Sequence, residues 1–328
     1  TEPQIVTQGR PFFINWADFP SIFQHQGDTI ALYWPEKSAR GTYDYDVKAA
    51  LSTDRGLTWK NPVIPHRDSG NGEHGFLSFF NDLNHKLSLV WLDGRNMTGQ
   101  IEGEYGEMNL YLTSFNQSLD LEQELQMDSR ICECCPTSAV TSDNAVIIAY
   151  RDRSLDEIRN INILRFSDGE WEPPYPVFED NWKIAGCPVN GPVLGVRNSK
   201  IGISWYTAAD DKPRVQAAFS ENDGKTFSEP IRIDVGNPLG RVDLIWLNDE
   251  SVLISWIESG SETTNILARA VGLNGFKYPV YTVAEIDPGR VSGYPQIGMV
   301  GSQVFFTWTE SGKTTRVKSK WIRKGEFF

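Results

Sequence analysis

The chain has 328 residues, a formal net charge of −12 and a pI near 4.9. No Lys/Arg-rich run interrupts that acidity, which argues against a nucleic-acid partner or an anionic membrane surface, because both require basic patches. No window approaches the roughly 18 uninterrupted apolar residues of a membrane span. With Thr1 in place of a start Met, the expectation is a mature, exported protein, periplasmic or extracellular.

The 11 Trp, 11 Tyr and 17 Phe, set among 28 Gly and 18 Pro, point to many short strands joined by tight turns. Six apolar runs, in chain order, end on an aromatic: residues 30–34 on Trp34, 87–91 on Trp91, 146–150 on Tyr150, 201–205 on Trp205, 252–256 on Trp256 and 304–308 on Trp308. The gaps between these aromatics are 57, 59, 55, 51 and 52 residues. Each run follows another apolar segment and precedes an alternating one. Four strands in a period of about 50 residues make a propeller blade, so six periods predict an all-β, six-bladed β-propeller forming a single domain over residues 1–328. Too few residues follow Trp321 for an outer strand, while residues 4–8 stand unassigned. The N-terminal strand is therefore expected to complete the last blade and close the ring.

Two turns after the third strand share one pattern, Ser52-Thr-Asp54-Arg-Gly56-Leu-Thr58-Trp59 and Ser220-Glu-Asn222-Asp-Gly224-Lys-Thr226-Phe227. They resemble the Asp box, or BNR repeat, of sialidase-like propellers. Asp or Asn caps backbone N–H groups, Gly takes a positive φ and the aromatic packs back between strands. Asp54 and Asn222 are read as structural, and Ser167-Asp-Gly169-Glu-Trp171 as a degenerate third copy.

Antiparallel blades send alternate turns to opposite ends of the ring. Opposite the Asp-box turns lie the loops that lead into each innermost strand: residues 15–20, 73–76, 132–136, 187–191, 238–243 and 290–294. Asp93-Gly94-Arg95, Arg151-Asp152-Arg153, Arg159 and Glu258 fall on that face too. Convergent polar groups over a channel mark a pocket for a small-molecule or glycan ligand.

Three of the four cysteines, Cys132, Cys134 and Cys135, lie in one of these loops, and Cys187 occupies the equivalent position in the next blade. Proximity of the four thiols is expected. Three chemistries fit: disulfides such as Cys132 to Cys187, a soft-metal site for copper or zinc with His66 and His74 as further ligands, or a reactive redox thiol. C-x-C-C is not a standard zinc spacing. His66 and His74 lie in a stretch too polar and Gly-rich for a core.

Over its whole length the chain resembles bacterial exported proteins labelled sialidase-like, through Trp16-Ala-Asp-Phe-Pro20, Pro65-His-Arg-Asp68, Glu73-His-Gly-Phe76, Trp91-Leu-Asp-Gly-Arg95, Cys132-Glu-Cys-Cys-Pro136, Gly186-Cys-Pro-Val-Asn-Gly-Pro192 and Leu239-Gly-Arg-Val-Asp243. The resemblance implies a glycoside hydrolase in which arginines clamp a carboxylate, a Tyr paired with Glu is the nucleophile and an Asp is the acid. By position these roles fall to Arg241 with Arg153 or Arg95, to Tyr294 with Glu258 or Glu157, and to Asp18 or Asp68. Ala17-Asp18-Phe19-Pro20 stands where active sialidases carry Arg-Ile-Pro, so the arginine triad is incomplete. Two readings follow, a propeller that binds or hydrolyses a carbohydrate at the channel mouth, and a metal or redox protein built on the cysteines.

Overall fold

The computed structural model describes residues 4–68, 70–97, 106–261 and 263–328. Six antiparallel sheets follow one another along the chain, each built from three to five strands, and the only helical segments among the described residues are three short 3-10 turns. The aromatic-ended runs form the second strand of every blade: Ile30–Lys37, Leu87–Asn96, Val146–Arg151, Lys200–Thr207, Ser251–Ser259 and Gln303–Glu310. Strands sandwiched between neighbouring sheets lose the polar alternation of a half-exposed sheet. Val146–Arg151 accordingly has every residue buried, whereas the outer strand Tyr175–Phe178 alternates.

Trp91, Trp205 and Trp256 are fully buried. A buried indole N–H needs an acceptor, and the second strand supplies it two residues on. Trp34 donates to Glu36 at 3.3 Å, Trp91 to Asp93 at 2.9 Å and Trp256 to Glu258 at 2.6 Å. Trp205 uses Asp180 instead, at 2.6 Å. These carboxylates anchor the aromatic columns and stand at the same end of each strand.

The two Asp-box-like turns have matching geometry. Asp54 accepts from Thr58 N at 2.8 Å and Asn222 from Thr226 N at 3.0 Å. The N–H of Gly56 or Gly224, each at positive φ, donates to the leading serine.

Five clusters of buried side chains join blade 1 to 2, 2 to 3, 3 to 4, 4 to 5 and 5 to 6. No comparable cluster joins blade 6 to blade 1 among the described residues. Ile22, Val317 and Trp321 remain 67%, 77% and 54% exposed there. The expected closing strand is corrected accordingly: residues 4–8 form no strand, and the sixth sheet has three strands. The physical reason lies in residues 11–13, which bind blade 1 itself. Phe12 bridges to Glu36, Phe13 N donates to Pro35 O, Lys37 N donates to Pro11 O, and Phe13 stacks on Tyr45 at 4.0 Å. At the channel mouth the ring meets through aromatics, Tyr294 of blade 6 lying 6.1 Å from Trp16 and 5.8 Å from Phe19.

Blades 3 and 4 approach closely at Gly191, where a Cβ would overlap the Pro136 carbonyl oxygen and lie 2.8 Å from its carbon. Because the obstacle is backbone, Gly191→Ala is expected to cost about 3 kcal/mol. The control Gly298→Ala, with nothing within 4 Å of its Cβ, should be near neutral. Chemical denaturation of both variants reads the difference.

Candidate functional site

The axial cavity is lined by the start of every innermost strand, including Phe19, Phe76, Thr137, Gly191, Asp243 and Tyr294, one from each blade. The six lead-in loops therefore converge on the channel as the repeat spacing implied. Three of them carry bulky residues in the left-handed region, Phe76 (φ 54°), Val189 (φ 47°) and Arg241 (φ 54°). Such conformations cost about 1–3 kcal/mol each and cluster where side chains must be aimed. Phe76 and Arg241 also sit at register shifts of their strands, where bulges redirect side chains.

The thiols gather beside this channel. Cys132 Sγ lies 3.2 Å from Cys135 Sγ and 3.8 Å from Cys134 Sγ, and Cys134 lies within hydrogen-bonding reach of Cys187. All four are free thiols, with Cys132 and Cys135 buried and Cys187 exposed. The nearest sulfurs to Cys132 are thus Cys135 and Cys134, and the expected pairing of Cys132 with Cys187 is replaced by contact between Cys134 and Cys187. Burial pushes the Cys132 thiol up, but hydrogen bonds from Cys134 and Cys135 and the Arg159 guanidinium outweigh it, leaving the thiol well below its ordinary range. Arg159 Nη1 donates to Cys132 Sγ and to Glu133 Oε2, both at 3.0 Å.

Asn190 fastens the Cys187 loop to its neighbours. Its N–H donates to Cys135 Sγ at 3.4 Å, its side-chain carbonyl accepts from Arg241 N at 2.7 Å, and Arg151 donates to its backbone oxygen at 2.8 and 3.0 Å.

His66 and His74 form a separate cluster, which corrects the expectation that they join the thiols. Their rings stack 3.7 Å apart and within 2° of parallel. Asp46, Asp68 and Asp93 surround them, and within ligand distance they group with these aspartates and with no cysteine. Burial lowers His74, but Asp68 and Asp93 more than offset it and raise the ring to about 9. Glu73, between the two clusters, is raised to about 8 by burial, with repulsion from Asp18 and Glu133 added.

The residues assigned by resemblance are placed as follows. Glu258 accepts from Trp256 Nε1, Val235 N and Asn237 N, and no hydrogen bond joins it to Tyr294. The tyrosine lines the channel and donates to Val189 O at 2.5 Å. Arg95 is held by Asp93 and Glu124, and Arg153 by Glu157. Arg241 instead donates to Ser292 Oγ and Gly293 O and lies 4.6 Å over the Trp16 ring. Asp18, 1% exposed, accepts from Tyr33 Oη at 2.7 Å and Phe76 N at 3.1 Å. Among these residues, then, the structure keeps Tyr294 and Arg241 at the mouth, commits Glu258, Arg95 and Arg153 to carboxylate anchoring and pairing, and buries Asp18. Asp46 and Tyr45 are the functional candidates that sequence reasoning missed. Both open the third strand of blade 1, Tyr45–Ser52, and the second-to-third-strand connections were already assigned to this face.

No protein-family model and no curated protein matches the chain. Among solved structures it is similar to the Hadza microbial sialidase Hz136, with a TM-score of 0.62 and 14% identity over 95% of this chain and 66% of that one. It is also similar to the NanB sialidase of Streptococcus pneumoniae, with a TM-score of 0.61 and 12% identity over 99% and 71%. A third likeness is to the Penicillium chrysogenum α-L-arabinanase complexed with arabinobiose, with a TM-score of 0.59 and 12% identity over 99% and 100%. The chain thus spans slightly under two thirds of the first sialidase's length. At such identities the likeness establishes the sialidase-like six-bladed propeller fold. No helix among the described residues is long and apolar enough to cross a membrane.

Burial raises Asp18 from the ordinary 3.8 to about 6, against the hydrogen bonds from Tyr33 and Phe76. The unfolded chain releases this proton near pH 4 and the folded chain near pH 6, so stability falls as pH rises through that window. Asp18→Asn removes the ionisation. Its stability relative to the parent is expected to rise by up to about 3 kcal/mol between pH 4 and pH 7, measured by denaturant unfolding at each pH.

Proposed function

We propose that the chain binds a thiophilic metal ion, copper(I) or zinc, at its channel mouth through Cys132, Cys134, Cys135 and Cys187. The observation that carries this reading is the packing of three free thiols within ligand distance of one another, with the thiol of the neighbouring blade in reach of Cys134. Two thiolates sharing a tetrahedral ion at about 2.3 Å stand about 3.8 Å apart, and Cys132 and Cys134 have that separation. Cys132 and Cys135 supply buried sulfurs, Cys134 lies within ligand distance of both, and Cys187 adds an exposed thiol in reach of Cys134. Metal binding requires the thiols to lose their protons, and the Arg159 guanidinium beside Cys132 favours that. Soft sulfur ligands suit copper(I) and zinc over hard cations. Elemental analysis after anaerobic purification without chelators is expected to find one such ion per chain. Cys132→Ser with Cys135→Ser should lower its occupancy at least about tenfold. A chain that takes up neither ion on titration, with four titratable thiols or with none, overturns the reading.

A second reading is favoured by Arg241. Arg241 has no carboxylate partner among the described residues, and it and Arg290 both lie over the Trp16 ring, at 4.6 and 5.5 Å, beside Tyr294. An acidic glycan would supply the missing anion, with the aromatics as a platform for the sugar. The sialidases and the arabinanase of like fold lend the carbohydrate class. With Glu258 committed to Trp256, this reading is of binding, since the Tyr294 and Glu258 couple needed for hydrolysis is not formed. Arg241→Met should weaken binding of acidic glycans at least about tenfold by calorimetry. Equal binding by parent and variant, or hydrolysis abolished by Glu258→Gln with folding intact, would refute it.

A further inference from the structure

The stacked histidines pose a separate question, independent of the thiols. His66 and His74 are 4% and 0% exposed, yet His66 Nε2 and both His74 ring nitrogens have no partner in hydrogen-bonding geometry. Buried polar atoms without partners are rare and call for an explanation. Their surroundings have a definite order. At one edge of the stack His66 Nε2 and His74 Nδ1 both face Asp46 Oδ1, at 3.4 and 3.9 Å. At the other edge His66 Nδ1 and His74 Nε2 face Asp68 Oδ1, at 2.7 and 3.1 Å, with Asp93 3.5 Å from the latter.

Two imidazolium rings stacked this closely would repel, so at least one ring carries a lone pair. With the 2.7 Å contact to Asp68 taking the N–H of His66 Nδ1, the lone pair of a neutral His66 points from Nε2 at Asp46 Oδ1, and an acceptor then faces an acceptor. A separation of about 3.4 Å is that of two ligands on one tetrahedral ion with bonds near 2.1 Å; Asp46 and His66 have it, and Asp46 and His74, at 3.9 Å, stand wider. A carboxylate orienting the far nitrogen of each ligating histidine is the usual support of such a site.

We infer that Asp46 Oδ1, His66 Nε2 and His74 Nδ1 form a second metal site, for a borderline divalent cation such as zinc, with Asp68 and Asp93 as positioning residues. The ion replaces the protons that otherwise hold rings and carboxylates together. Nitrogen and oxygen donors make this site chemically distinct from the thiolate cluster. Three protein ligands leave a fourth position for water or a bound molecule. Lys48, 3.6 Å from Asp46 Oδ2, and Arg95, 3.9 Å from Asp68 Oδ1, offset part of the negative charge around it.

The test removes the thiols and keeps the histidines. A variant carrying Cys132→Ser, Cys134→Ser, Cys135→Ser and Cys187→Ser is titrated with Zn²⁺ and Co²⁺, and its folding is checked by circular dichroism. One equivalent should bind with a dissociation constant below about 10 μM, and Co²⁺ should show visible bands without thiolate charge transfer. Adding Asp46→Asn or His66→Gln should weaken binding more than about 100-fold, and Asp68→Asn about 10–100-fold. If the four-serine variant does not fold, His66→Gln in the parent chain should lose one equivalent of Co²⁺ while any thiolate band persists. Absence of Co²⁺ and Zn²⁺ binding to the folded four-serine variant, or binding unchanged by Asp46→Asn and His66→Gln, overturns the site. A parent chain that binds Co²⁺ without any thiolate band would overturn the cysteine reading and leave this one standing.

Discussion

The close approach of residues 190–192 to residues 135–136 is the constraint on which the channel mouth depends. Only a residue without Cβ fits at Gly191 against the Pro136 carbonyl. That contact sets Asn190 between blades 3, 4 and 5, where its backbone meets Cys135 and Arg151 while its amide meets Arg241 and Leu239. It also carries Cys187 to Cys134. Arg159 adds a second tie between the two segments, donating to Cys132 Sγ and to Ile184 O.

Charge at the mouth follows a similar economy. Asp93 and Glu258, which look like pocket residues in the sequence, accept the indole N–H of a fully buried tryptophan two positions earlier. Arg95, Arg153 and Arg159 are in turn drawn to carboxylates or to Cys132. What these pairings leave for a ligand is narrower than the polar inventory of the face: the thiol cluster, the Asp46 edge of the histidine stack, and Arg241, which has no carboxylate partner among the described residues. A chain with net charge −12 thereby presents clustered anionic and neutral donors on blades 1 to 4 and a cationic, aromatic patch where blades 5, 6 and 1 meet.

The ring is unevenly closed. Five interblade clusters bury apolar side chains continuously, whereas blades 6 and 1 meet through Trp16, Phe19 and Tyr294 at the mouth and leave Ile22, Val317 and Trp321 exposed at the seam. The aromatic contacts that close the ring thus also build the Arg241 patch, so ring closure and patch geometry are coupled.

The sequence by itself determined the architecture, because a propeller is a local pattern repeated. Apolar runs ending on Trp or Tyr, Asp or Asn turns and even spacing are all legible within one period, and they place every lead-in loop, hence the neighbourhood of Cys132 and Cys187. Tertiary structure decided which groups meet. Asp46 reaches His66 and His74 from a strand of the preceding blade. Glu258 turns to Trp256 and not to Tyr294, and residues 11–13 attach to blade 1 and not to blade 6. Each outcome rests on register shifts, left-handed loop residues and competition among several acceptors for one donor. Those quantities depend on ångström-scale positions between blades, which residue order along the chain does not encode.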